Sequence, residues 1–146
     1  MRATLNRAAR SAMGIPEVVH GRTVRAEGKR LVALDELPEG DAVIEVRTEA
    51  HGVIAVGMAD GEPFATSNIC RHQFAKMGRG QVRDGCLECP WHRARYDVRT
   101  GRMVSGPKGR VWGFPPYSKA VQTFGSAVAP LRVFDVELRD GAIWLR

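Results

Sequence analysis

Cysteine is scarce in this 146-residue chain, and its count of three is odd. Three thiols cannot build a disulfide scaffold, and this usage points to a reducing compartment. No apolar run approaches the ~18–20 residues of a membrane-crossing helix, so no span is expected. Arg2, Arg7 and Arg10 make the N-terminus basic, but no signal-peptide hydrophobic region follows them. Export is therefore not expected, and the cytoplasm is the default compartment. The formal net charge is +6, yet no Lys/Arg block exists. Charge spread in this way reads as a solvated surface suited to an acidic redox partner, and not as a nucleic-acid site. There is no nucleophilic triad, phosphate-binding glycine motif, internal repeat or low-complexity tract.

The length suits one domain with a modest core. Residues 1–14 read as a short basic helix or tail, which Pro16 ends. Beyond it the text is β. Val24 and Leu31-Val32 mark short strands; Val43, Ile44 and Val46 mark another; Val53–Val56 and Phe64–Thr66 follow. Asp60-Gly61, Asp84-Gly85 and Asp140-Gly141 are hairpin signals. Val133–Leu138 reads as one alternating strand and Ala142–Leu145 as a nearly continuous apolar one. Many short strands with such turns predict a small all-β, antiparallel sandwich or barrel.

Four residues carry the chemistry. Cys70 and His72 form C-x-H, and after sixteen intervening residues Cys89 and His92 form C-x-x-H. Two thiols and two imidazoles in two short loops make a metal site. Two plus two suits a [2Fe–2S] cluster with one iron on cysteine and the other on histidine. Zinc is the alternative. Cys86-x-x-Cys89-x-x-His92 contains a zinc-like cysteine pair, and Cys70 and His72 bring the candidates to five. Otherwise Cys86 is read as a buried structural thiol.

With their flanks, Ile69-Cys70-Arg71-His72 and Cys89-Pro90-Trp91-His92 resemble the Rieske iron–sulfur proteins. The likeness extends over roughly residues 31–107 and 130–146. Leu34–Gly40 is similar to that family's opening strand and turn, Ser105-Gly106-Pro107 to its proline loop, and Leu131–Arg146 to its closing hairpin. The resemblance implies a Rieske-like fold whose cluster-binding subdomain is formed by two loops, in a domain spanning 31–146. Residues 1–30 are then a basic arm, and 108–129 an insertion.

The resemblance also implies one [2Fe–2S] cluster per chain. Cys70 and Cys89 would be thiolates on one iron, and His72 and His92 neutral imidazoles on the other. Two ferric ions, two sulfides and two thiolates sum to zero charge, so reduction adds a single negative charge. This eases reduction and explains Rieske potentials of roughly −150 to +300 mV. High-potential members join their loops by a disulfide, where this chain has Ala75 and Trp91, and place a serine where it has Ala94. They also hydrogen-bond a tyrosine to a cysteine sulfur, a position that Tyr96 fills. The lower part of the Rieske range is therefore expected, lifted by Tyr96.

A Rieske oxygenase also needs a mononuclear iron on two histidines and a carboxylate. Only His20 and His51 remain, both before the motif, and the chain ends about fifty residues after it. The expectation is thus a ferredoxin that carries single electrons from a reductase to a terminal oxygenase. The alternatives are a small subunit of a larger oxidoreductase, resembling that of assimilatory nitrite reductase, and a non-redox or zinc-binding scaffold. Phe74, Met77 and Trp91 are read as cluster shields. Arg71, Arg93 and Arg95 are read as solvated charge or as partner contacts at the electron exit. The aromatics of the insertion, Trp112, Phe114, Tyr117 and Phe124, either cover part of the core or form a partner surface.

Overall fold

Each of the three Asp-Gly pairs closes a two-residue hairpin. Asp60, Asp84 and Asp140 all take φ 50°, and Gly61, Gly85 and Gly141 take φ 77°, 71° and 69°. Such a turn needs positive φ at both central residues, which Asp tolerates and Gly adopts without strain. The flanking pairs Ala59–Glu62, Arg83–Cys86 and Arg139–Ala142 stand directly opposite one another, so the turns set the registers.

The structure is a computed structural model, and it describes residues 23–69, 75–90, 93–105 and 130–146. Residues 1–22 of the basic arm and the whole insertion at 108–129 lie outside the described residues. Twelve strands occur among those described: β1 (Thr23–Arg25), β2 (Arg30–Ala33), β3 (Ala42–Thr48), β4 (Gly52–Ala59), β5 (Glu62–Ser67), β6 (Gln81–Arg83), β7 (Cys86–Glu88), β8 (Arg95–Asp97), β9 (Met103–Ser105), β10 (Val133–Phe134), β11 (Val136–Arg139) and β12 (Ala142–Leu145). They make three sheets, ordered β1-β3-β4-β5-β10, β11-β12-β2 and β6-β7-β8-β9. All pairs are antiparallel except β1 with β3. The all-β expectation holds. Residues 23–30 of the arm are part of it, forming β1 and the turn into β2. Leu34–Glu36, expected as part of an opening strand and turn, is a 3-10 turn, and the Glu36 carboxylate accepts from the Ala33 amide at 3.1 Å. No helix among the described residues is long and apolar enough to cross a membrane.

The five-stranded sheet is the middle layer. Side chains alternate across a strand, so Val43, Ala55, Ala59 and Phe64 face one core while Ile44, Val46, Ile54, Val56 and Ala65 face another. The second core is completed by Leu31, Val32 and Ile143 of the three-stranded sheet. The first is completed by a row across the four-stranded sheet, Val82 opposite Leu87, Leu87 opposite Tyr96, and Tyr96 opposite Met103. Burial on both faces explains why β3 and β4 read as nearly unbroken apolar runs. Each such Val, Leu or Ile contributes about 1.5–3 kcal/mol.

One strand expectation fails. Val133–Leu138 is not a single strand: Asp135 separates β10, which pairs with β5, from β11, which pairs with β12. The chain crosses between layers there, and both halves remain extended, so the sequence pattern is continuous while the pairing is not.

Candidate metal centre

Two loops leave the first core at the same end of the four-stranded sheet, and each is pinched at its neck. The first follows β5. Ile69 bridges Lys76, and the Met77 amide donates to the Asn68 carbonyl, so the chain entering this segment is tied to the chain leaving it. A 3-10 turn, Met77–Arg79, then leads into β6. The second loop follows β7. The Cys89 amide donates to the Ala94 carbonyl at 2.8 Å, and the Arg93 amide returns to the Cys89 carbonyl at 3.1 Å. Arg93 takes φ 58°, the left-handed conformation that this tight return requires.

Of the four predicted ligands, Cys89 lies at the second neck, 1% exposed, among Ala75, Ala94, Met77 and Tyr96 of the first core. Cys70, His72 and His92 lie outside the described residues, as do Arg71, Phe74 and Trp91. Among the described residues there is no group of three or more His, Cys, Asp or Glu that could hold a metal ion. Met77, expected as a shield, is fully buried.

Gly80 holds the two necks together. A Cβ there would lie 2.0 Å from the carbonyl oxygen of Glu88, the residue before Cys89. Only glycine allows the exit of the first loop to run this close to the entry of the second.

Cys86 belongs elsewhere. Leu87 shares the first core with Cys89, so the alternation of β7 turns Cys86 to the opposite face. Its thiol is buried, and burial pushes its pKa above the usual thiol value; Asp97 and Asp84 add to the shift and Arg95 opposes it. This is an inert environment for a thiol. His51 packs its ring 4.7 Å from that of Phe134, on the second core.

The sequence reading missed a buried acid behind the first neck. Glu45 of β3 is 3% exposed. Its Oε1 accepts from the Asn68 amide at 2.9 Å, and its Oε2 accepts from the Thr23 hydroxyl at 3.2 Å and the Arg79 guanidinium at 3.3 Å. Asn68 Oδ1 in turn accepts from the Gly78 amide at 2.7 Å. Burial alone would raise the Glu45 pKa, but these donors outweigh it, and the carboxyl is held below its usual value. The network ties the entry of the first loop (Asn68) to its exit (Gly78, Arg79) and both to the central sheet. The one sequence signal was an acid inside the run Val43-Ile44-Glu45-Val46.

The Rieske [2Fe-2S] domain profile matches residues 28–125. Over 76 residues the chain is 43% identical to the ferredoxin component of a naphthalene 1,2-dioxygenase system from Pseudomonas aeruginosa, covering 52% of this chain and 71% of that one. It is 30% identical over 118 residues to the anthranilate 1,2-dioxygenase ferredoxin subunit of Burkholderia cepacia, covering 81% and 90%. Among solved structures, the ferredoxin of carbazole 1,9a-dioxygenase from Nocardioides aromaticivorans IC177 superposes with a TM-score of 0.58 at 25% identity, covering 80% of this chain and 93% of that one.

Proposed function

Since the chain belongs to the Rieske [2Fe–2S] domain family, its cofactor is a [2Fe–2S] cluster, and we propose that Cys70 and Cys89 hold one iron while His72 and His92 hold the other. The donor set fits. Thiolate and imidazole are the ligands such a cluster takes, and Cys89 stands buried where the necks of both loops meet. When bound, the cluster supplies a one-electron redox couple at low cost in charge. The protein's own groups do the rest. The Glu45 network and Gly80 fix the two necks relative to each other, the apolar row from Val82 to Met103 keeps water from the inner side, and Tyr96 places its hydroxyl in that dry interior.

The protein is a ferredoxin that takes single electrons from a reductase and delivers them to a terminal oxygenase. The observation that carries this reading is the pair of pinched loops on one end of the core, in a chain 43% identical over 76 residues to a dioxygenase-system ferredoxin. The compartment we propose is the cytoplasm, supported by the buried, unpaired Cys86 thiol. The domain organisation we propose is a Rieske domain over 31–146 with an insertion at about 108–129, preceded by the 1–30 arm, whose residues 23–30 join the domain's sheet through β1.

The test is iron and acid-labile sulfide analysis with visible and EPR spectra, followed by turnover of an oxygenase component given a reductase. Equal iron and sulfide, a Rieske-type reduced EPR signal, and ferredoxin-dependent turnover are expected. His72→Ala and His92→Ala should each lose the cluster. A colourless protein with stoichiometric zinc would overturn the reading.

A further inference from the structure

The stretch of the chain that carries the two loops is basic. Residues 69–95 carry six basic and two acidic side chains, in a protein of net +6. Arg79 is taken up by Glu45, and Arg95 reaches back to the Arg83 carbonyl and Asp84 at the far hairpin. Two cations remain at the loop necks, one on each: Lys76 beside Ile69, and Arg93 within the second turn. Both are exposed, and neither has a carboxylate partner among the described residues. Next to them is exposed apolar surface. Ile69, directly before Cys70, is 41% exposed, and Pro90, directly after Cys89, is exposed.

We infer that Ile69 and Pro90, flanked by Lys76 and Arg93, form the docking face for a partner protein whose own docking face is acidic. The inference rests on the assignment of the cluster ligands to these two loops. Electron exchange requires close approach beside the two loops, where Ile69 and Pro90 can be desolvated. The flanking cations steer an acidic face to that spot, because unpaired exposed charges set encounter rate and orientation. The opposite end of the four-stranded sheet, at Arg99 in the turn between β8 and β9, supplies the control: it too is basic and exposed, but remote from the loops.

The test is protein-film voltammetry of the holoprotein on carboxylate-terminated and amine-terminated monolayers, the former standing in for the acidic face. At low salt the Lys76→Glu/Arg93→Glu double variant should exchange electrons with the carboxylate surface at least about tenfold more slowly than wild type. Arg99→Glu/Arg102→Glu, the same change in net charge placed on two exposed residues of that far turn, should stay within about twofold, and the difference should vanish near 1 M salt, where screening is effective beyond ~3 Å. Equal losses in both variants would assign the effect to net charge and overturn the inference. Binding of a DNA duplex or of phosphatidylserine vesicles that the double variant alone abolishes would overturn it in favour of those partners. A wild-type protein without cluster absorption would instead overturn the ligand assignment beneath it.

Discussion

The Glu45 carboxylate and the Asn68 side-chain amide meet at 2.9 Å in the interior, one from β3 of the middle sheet and the other two residues before Cys70. Asn68 spends its remaining oxygen on the Gly78 amide, so a single buried acid indirectly sets the distance between the two ends of the first loop. Removing it leaves donors without an acceptor. Glu45→Ala should cost about 2–3 kcal/mol, the range for a buried, charge-assisted hydrogen-bond set. No extra ion-pair contribution is added for Arg79, which is half exposed. Denaturant midpoints of the holoprotein measure this, and iron release to a chelator should speed up in parallel.

The same carboxyl makes an acid-side prediction. Its folded pKa is depressed below the ordinary 4.5. A depressed acid stabilises the fold above its unfolded pKa and loses that contribution as pH falls through its folded value. The gap in denaturant midpoint between wild type and Glu45→Gln should therefore be constant near neutrality and close as pH drops below 4.5. A gap that widens in acid would mean that Glu45 is not held ionised.

Gly80→Ala tests the junction of the two loops. Its Cβ would meet backbone, the Glu88 carbonyl at 2.0 Å, which cannot rotate away as a side chain could. Relief requires β6 to part from β7 beside Cys89. Overpacking of this kind costs about 1–3 kcal/mol. Thermal melts should register the loss, and the reduced EPR signal should broaden if the loops no longer hold one geometry.

Cys86 and Cys89 are three positions apart, yet they should behave oppositely. Cys86→Ala should keep full iron and sulfide and cost about 1 kcal/mol, the ordinary effect of a point change. Cys89→Ala should lose the cluster. Because burial raises the Cys86 pKa above 9.0, the folded protein holds that proton after the unfolded chain has released it. Stability should then fall as pH rises past that value, and Cys86→Ala should remove this part of the alkaline decline. Iron loss from Cys86→Ala would revive the zinc-like pairing of Cys86 with Cys89.

What the sequence made legible was local. Asp60-Gly61, Asp84-Gly85 and Asp140-Gly141 announce hairpins because their φ requirement is a property of two adjacent residues. The loops were readable for the same reason, since C-x-H and C-P-W-H are short and chemically unusual. Non-local pairing was not readable. Nothing around Asp135 tells that Val133–Phe134 joins β5 while Val136–Arg139 joins β12, and nothing in Thr23–Arg25 announces a parallel partner in β3. Glu45 escaped notice because an alternating strand normally turns its acid to water. Here both faces of β3 are covered, and the acid is buried against a loop 23 residues away.

Tyr96 offers a prediction in which packing and redox chemistry separate. It is fully buried in the row between Leu87 and Met103, two residues after the Ala94 whose carbonyl closes the Cys89 turn. Phenylalanine keeps the ring and therefore the row, so Tyr96→Phe should change the melting temperature little. The hydroxyl is another matter. On the proposed ligand assignment, a hydrogen bond from it to a cysteine sulfur stabilises the reduced, more negative state and raises the potential. A net hydrogen bond of about 0.5–1.5 kcal/mol corresponds, for one electron, to about 20–65 mV. The potential of Tyr96→Phe measured by voltammetry should fall by that order. Combined with Ala94→Ser, which adds a hydroxyl at the position where high-potential relatives carry one, the potential should recover. An unchanged potential in Tyr96→Phe would confine Tyr96 to packing.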